Sequence, residues 1–256
     1  METLFGADAL WILSFGCLIA ILAGTVKGVV GFGMPMLLIS GLSTVMPPDL
    51  ALAGLIMPTL LTNGWQALRQ GFSAAWESVR KYRVFLLVGL VFLLGSAQVV
   101  RAVPSQALLL GIGAPIVLYA LASLLGYPLR LPAGAGARAE AAIGAVAGFF
   151  GGISGVWGPP TVAMLSSRDT EKTEQMRVQG VIYGLGAVAL VVAHVTSGVL
   201  NRETAPFSMI LIAPAMAGMW IGFRIQDRLD QVTFRRLTFL VLLLAGANLV
   251  RRGLWG

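Results

Sequence analysis

The stretch AGTVKGVVGFGMP, residues 23–35, interrupts apolar sequence with four glycines, a lysine and a proline. Glycine tolerates a positive φ and close backbone approach, and proline lacks an amide donor, so the stretch predicts a broken helix. In hydrocarbon, broken backbone survives only where it is buried in protein or lines a wet cavity. We therefore expect an interior break, where the N-terminus of a half-helix offers its amides to an anion.

The composition of the whole chain indicates a membrane protein. Of 256 residues, 57% are apolar and 11% are charged, and the mean hydropathy is +0.85, whereas soluble domains carry about 25% charged residues. Several apolar runs have about the length that a helix needs to cross a bilayer: residues 84–100, 107–125, 178–199, 207–223 and 237–250. The alternating pattern of a membrane barrel is absent, so we expect the membrane segments to be helices.

Charge and cysteine content exclude several classes of function. The net charge of +7 comes mostly from basic residues in short loops, where such residues set topology, so we expect no nucleic-acid partner. The basic loop 69–83 is expected on the cytoplasmic side of an inner (plasma) membrane that the chain crosses several times. The single cysteine, Cys17, lies in an apolar helix, and we expect no metal and no cofactor.

The glycine stretch has a second copy, AGFFGGISGVWGP, at residues 147–159, which is an offset of 124 residues. The shared glycines and the final proline predict two homologous repeats, residues 1–127 and 140–256, with a Pro- and Gly-rich linker at residues 128–139. Each repeat is expected to contain a glycine-broken first hairpin and about three further transmembrane helices. The total would be 8–10 membrane segments, and an odd number of crossings in each repeat would invert one repeat relative to the other.

Polar residues near the two breaks are the candidates for a binding site. Lys27 is ionisable at membrane depth, where such groups are usually functional, although a lysine can also snorkel to an interface. Gly24 and Gly28 have the alternative role of close helix packing. We predict that an anion binds near the midplane at Lys27, Gly31, Phe32, Gly33, Asn63, Gln66, Ser154, Gly155, Trp157, Gly158, Thr161 and Gln179. No Asp or Glu is evident inside an apolar span, so a carboxylate proton relay is not expected.

These residues resemble a known family of membrane transporters, the sulfite exporter TauE/SafE family. The resemblance rests on GVVGFGMP at residues 28–35, GISGVWGPP at 152–160, their spacing, and GFRIQDRLDQVTFRRLTFLVLLLAG at 222–246. It covers almost the whole chain. It implies transport of small anions through a plasma membrane, notably sulfite, organosulfonates and related organic acids.

The working hypothesis is a secondary transporter, an exporter of small anions, rather than an enzyme. Its expected partners are the anionic substrate and the lipid bilayer, while the coupling ion, the direction and the oligomeric state are left open. Two alternatives also stay open. One is an intramembrane serine protease that uses Ser154 of the GISG string with His194, and the other is a passive anion channel.

Overall fold

The computed structural model describes residues 9–97, 105–127, 136–154 and 158–255. These residues are almost entirely helical, and no strand occurs among them, which confirms the predicted all-α class. The helices in chain order are α1 (Ala9–Val30), α2 (Met34–Leu42), α3 (Pro48–Leu68), α4 (Phe72–Lys81), α5 (Arg83–Ala97), α6 (Ser105–Leu124), α7 (Ala137–Ser154), α8 (Gly158–Ser167), α9 (Lys172–Thr196), α10 (Ala205–Ile210), α11 (Ile212–Arg228) and α12 (Gln231–Trp255).

Four segments of the described chain are long and apolar enough to cross a membrane. They are α1 from Leu10 onward, α9, the consecutive helices α10 and α11, and α12, while α5 and α6 contain shorter apolar helices. Large apolar side chains are exposed along these helices, for example Leu18, Leu90 and Val192, as expected for surfaces that face lipid. The predicted total of 8–10 membrane segments and the inversion of the repeats stay predictions.

The first predicted break lies between α1 and α2. Gly31 and Gly33 have φ angles of 89° and 91°, a left-handed conformation that strains any residue with a Cβ. Gly33 is the N-cap of α2, and Pro35 stands at the start of that helix, where its missing amide costs no hydrogen bond. In the second repeat, α7 ends at Ser154 and α8 begins at Gly158; residues 155–157 lie outside the described residues.

The chain divides into two compact units, and each unit takes segments from both predicted repeats. The first unit is Met1–Gln70 with Gly180–Leu229, and the second is Gly71–Gln179 with Asp230–Gly256. The first unit therefore contains α1, α2, α3, α10, α11 and the C-terminal part of α9. The repeat boundaries at residues 127 and 140 stay a prediction, since compactness does not follow repeat membership.

In the first unit, α1 and α11 approach closely because glycines line both helices. A Cβ on Gly28 would lie 2.5 Å from the carbonyl oxygen of Met219, and a Cβ on Gly24 would overlap the carbonyl oxygen of Ala215. Gly218 and Gly222 of α11 meet the backbone of α1 in the same way. The packing role considered for Gly24 and Gly28 is confirmed, since small residues four apart let helix backbones touch.

The second unit contains a similar contact between α5 and α7. A Cβ on Gly144 would lie 2.8 Å from the carbonyl oxygen of Phe85, and Gly148 faces the carbonyl oxygen of Gly89. Gly148 is the sequence mate of Gly24 in the repeat. The first helix of each predicted repeat thus packs through a corresponding glycine, each within its own unit.

A buried serine compensates for the backbone hydrogen bond that proline removes inside α3. Pro58 has no amide hydrogen, so the carbonyl of Gly54 loses its helical donor. The hydroxyl of Ser208, on α10, donates to that carbonyl at 3.4 Å and accepts the amide of Met57 at 3.1 Å. This pair of bonds ties α3 to α10 within the first unit.

A buried carboxylate fixes the start of α7 in the second unit. Glu140 accepts the amide of Phe85 at 3.0 Å, and one of its oxygens lies 3.4 Å from a guanidinium nitrogen of Arg168. Its side chain is 8% exposed, against 23% for that of Arg168. The sequence analysis did not single out Glu140, because Glu140 follows directly after the predicted linker and therefore did not look buried.

Replacing Gly24 with alanine is expected to destabilise the protein. The added methyl overlaps the carbonyl oxygen of Ala215, and overpacking of this kind costs about 1–3 kcal/mol. The readout is the midpoint of thermal unfolding of detergent-purified protein. Gly64→Ala is the matched control in the same unit, since a Cβ there meets nothing within 4 Å; equal midpoints for the two variants would contradict the packing role.

Replacing Glu140 with alanine is expected to lower the free energy of unfolding by about 1–3 kcal/mol, because the Phe85 amide loses its acceptor and Arg168 its counter-ion. Glu140→Gln keeps an acceptor for the amide and should lose less. Chemical denaturation of both variants measures the difference. If both variants matched the wild type, the contacts of Glu140 would contribute nothing to stability.

Candidate functional site

A polar stripe on α3 is the base of the candidate site in the first unit. Thr59, Asn63 and Gln66 are spaced four and three residues apart, so they share one face of the helix. All three are buried, with 5%, 2% and 2% of their surface exposed. Polar groups buried in this way require partners, and the partners identify the site.

Helix α3 contacts both sides of the first helix break. The Lys27 Nζ atom, in the last turn of α1, donates to the Oδ1 atom of Asn63. The Nε2 atom of Gln66 donates to the carbonyl oxygen of Gly31 at 3.1 Å. The hydroxyl of Thr62 lies 3.7 Å from the sulfur of Met34, the first residue of α2. The structure therefore brings Lys27, Gly31, Asn63 and Gln66 together as the sequence predicted.

Helix α9 determines which way the amide of Asn63 points. The Nδ2 atom of Asn63 donates to the carbonyl oxygen of Tyr183 at 3.2 Å, and a carbonyl can only accept, so Oδ1 is the atom that faces Lys27. The two helices approach because a Cβ on Gly180 would overlap the backbone of Ala67, and one on Gly184 would lie 3.9 Å from the Cβ of Asn63. The sequence alone does not indicate this role of the Tyr183 carbonyl.

Lys27 is the main source of positive charge in this region. Only 2% of its surface is exposed, which rules out the snorkelling alternative. Among the described residues its Nζ atom has one hydrogen-bond partner, the neutral amide of Asn63, and it forms no ion pair. A cation near a helix C-terminus gains about 0.3–1 kcal/mol, which is less than the several kcal/mol that burying an ion costs. The site therefore favours an anionic ligand when Lys27 is charged.

The start of α2 adds a second feature that favours an anion. Its N-cap, Gly33, has no side chain to cap the helix, so the amides of Met34 and Met36 have no acceptor within the helix. Phe32, between the two left-handed glycines, is 5% exposed and joins the core. Open first-turn amides at a buried helix start are suited to bind oxygen atoms of an anion.

Thr59 is a further candidate residue, which the sequence did not single out. Its Oγ1 atom is buried and has no hydrogen-bond partner among the described residues. It lies one turn before Asn63 on the same face of α3. A threonine inside an apolar helix is too common to be noticed in a sequence, and only its burial beside Asn63 indicates a role.

The predicted residues of the second repeat lie in the second unit. Gly158 begins α8, and Thr161 and Gln179 are fully buried in α8 and α9. Ser154 ends α7, but its side chain, Gly155 and Trp157 fall outside the described residues. The participation of these residues in anion binding stays a prediction. The protease alternative also stays a hypothesis, because it depends on the Ser154 side chain.

An apolar groove of about 490 Å³ lies in the second unit among α6, α7, α8 and α12. Of its lining residues, only Tyr119 and Ser167 carry polar side chains, and none is charged. A small anion that entered this groove would lose its hydration without gaining comparable polar contacts. The described residues also contain no group of three or more His, Cys, Asp or Glu side chains that would hold a metal ion.

The chain was compared with known proteins in three ways. The family model described as Sulfite exporter TauE/SafE matches residues 16–249, which include both helix breaks and every predicted site residue. Searches of curated proteins and of solved structures found no match. The family match covers most of the chain, and it agrees with the helical fold and with the buried cation beside the first break. This chain belongs to the sulfite exporter TauE/SafE family.

Proposed function

We propose that this protein is a secondary transporter, an exporter, of small anions such as sulfite and organosulfonates across the inner membrane, which it crosses several times. Membership of the family supports membrane transport of sulfite or a related anion. The observation that carries the assignment of a site is buried Lys27, which has only a neutral partner among the described residues and lies in the turn before the break. A bound anion would compensate its charge.

The donors around the break suit an oxyanion with several oxygen atoms. A charged lysine has three N–H donors, and Asn63 accepts one of them, so two remain for the substrate. The open amides of Met34 and Met36 and the hydroxyl of Thr59 are further donors of the same region. Sulfite and sulfonates each present three oxygens on one sulfur, which matches convergent donors better than a single acceptor would.

The glycine break is proposed to serve transport as well as binding. Left-handed Gly31 and Gly33 join the long helix α1 to the short helix α2, and a few residues at such a junction can absorb large changes in backbone angle. On sequence grounds alone, the second glycine segment with Ser154, Gly155, Trp157 and Gly158, together with Thr161 and Gln179, is proposed to bind substrate too.

Lys27→Met is expected to reduce anion transport at least about tenfold, because the site loses its compensating charge while the side chain keeps its apolar length. Transport is measured as saturable uptake of sulfite or methanesulfonate into proteoliposomes, with empty liposomes as background. The matched control is Lys81→Met, since Lys81 is half exposed and paired with Glu174 in the second unit. Wild-type uptake by a folded Lys27→Met protein would remove Lys27 from the site.

Asn63→Asp is expected to inhibit binding by a different route. The new carboxylate takes the place of Oδ1 beside Lys27 and competes with the substrate for its charge. Two unit charges about 4 Å apart attract by about 4 kcal/mol at an effective dielectric constant of 20, so anion affinity should fall at least about tenfold. The measurement is the Kd for methanesulfonate by calorimetry.

Asn63→Leu is the matched control for this aspartate. It removes the amide but adds no charge, so it should lower affinity less than Asn63→Asp. If aspartate and leucine had the same effect, the charge of Lys27 would not be what binds the anion.

A further inference from the structure

We propose that Lys27 takes up one proton when the anion binds and loses it when the anion leaves, so that each anion moves together with one proton. This inference rests on the proposed function, because it concerns the same site. It identifies the coupling ion as H⁺ and the carrier of that proton as a lysine rather than a carboxylate.

The first argument is the environment of Lys27 in the empty site. Its Nζ atom is buried and faces the carbonyl-type oxygen of Asn63. A neutral amine can also donate to that oxygen, more weakly than an ammonium does, so the contact does not require charge. Burying the ammonium alone costs several kcal/mol, and a buried group in that position gives up its charge instead.

The second argument concerns the charged groups on every element packed against Lys27. Helices α2 and α10 carry no titratable side chain. On α3, Asp49 is exposed and lies 14 residues before Asn63, which is about 21 Å along the helix. The other titratable groups of these elements in the first unit are Arg69 at the end of α3, Tyr183 and His194 on α9, Arg224, Asp227 and Arg228 on α11, and Cys17 on α1 itself. The N-terminal part of α9 carries Lys172, Glu174 and Arg177, which belong to the second unit, where Glu174 pairs with Lys81.

The acidic groups near these elements are either paired with a basic side chain or far from Lys27. Asp227 is exposed and pairs with Arg69 at 2.5 Å. The buried residue Tyr183 contributes its backbone carbonyl to Asn63. Lys27 therefore has no carboxylate partner among the described residues, and the substrate is the group that would hold its positive charge.

The proton balance follows directly. The lone pair of the neutral Nζ atom takes a proton from water on the side where the site is open, and the ammonium then binds the anion. On the other side the anion leaves, and the proton returns to water. For a singly charged anion this cycle moves no net charge, and the empty site returns without carrying an unpaired cation through a low dielectric.

The test is isothermal titration of the purified full-length protein with methanesulfonate, an anion that stays ionised throughout the range. Titrations at pH about 9 in buffers with different ionisation enthalpies give the number of protons taken up per anion. An ordinary lysine has a pKa of about 10.4, so it is already protonated at this pH and takes up almost none. We expect about one proton per anion for the wild type and for the control Lys81→Arg.

The Lys27→Arg variant gives the decisive comparison. Its guanidinium stays charged, so we expect methanesulfonate binding with no proton uptake. A second measurement needs no variant: the Kd of the wild type should rise about tenfold per pH unit in the alkaline range. Saturable binding by the wild type with no proton uptake and a Kd independent of pH would overturn the inference and leave the proposed function standing. Absence of saturable binding or transport of any tested anion would overturn both.

Discussion

A cation enclosed by a membrane protein must find an anion, find enough neutral acceptors, or give up its charge. Lys27 is enclosed almost completely, and Asn63 supplies one neutral acceptor. An amide oxygen offsets only part of the several kcal/mol that burial of an ammonium costs. This imbalance exists because the positions of α1, α2 and α3 place Lys27, in the turn before the glycine break, against the polar stripe of α3.

Three contacts hold the helices so that Asn63 meets Lys27. Ser208 bridges the Pro58 interruption of α3, and without it the freed backbone groups would be costly in hydrocarbon. Gly180 lets α9 approach α3, so that the carbonyl of Tyr183 orients the amide of Asn63. The glycines of α1 and α11 set the separation of those helices through direct backbone contact. Each contact joins residues that are far apart in the chain.

The sequence was sufficient for features that depend on local composition. The break at Gly31 and Gly33 follows from glycine and proline chemistry, and the helical class follows from the lengths of the apolar runs. Lys27, Asn63 and Gln66 could be singled out because charged and amide side chains are costly in such helices and therefore conspicuous. The structure places them at the first break, and their binding of an anion stays a prediction. The family resemblance rests on the same glycine motifs, and the family match confirms it.

The sequence was insufficient where the structure depends on tertiary contacts. Nothing local distinguishes Thr59 from a packing threonine, and the roles of Ser208 and Glu140 exist only because a distant backbone group needs a partner. The prediction of a loop at residues 69–83 is wrong, since this stretch contains helix α4. Helix α4 has ten residues, and its apolar side chains Phe72 and Trp76 are exposed. It lies outside the hydrophobic runs from which the longer helices were predicted.

The two predicted repeats share the glycine motif and a packing glycine but not the charge. Gly24 and Gly148 correspond in the repeat and both make close backbone contacts, each in its own unit, whereas the residue that corresponds to Lys27 is Gly151. The sequence predicts a helix break in both repeats, and broken backbone must be kept from lipid in either one. Under the proposed function one positive charge suffices for each singly charged substrate, and a second buried ammonium would repel the first and add its own desolvation cost. Under the proposed function, the glycines common to the two predicted repeats serve the backbone of both, and the single lysine matches the charge of one bound anion.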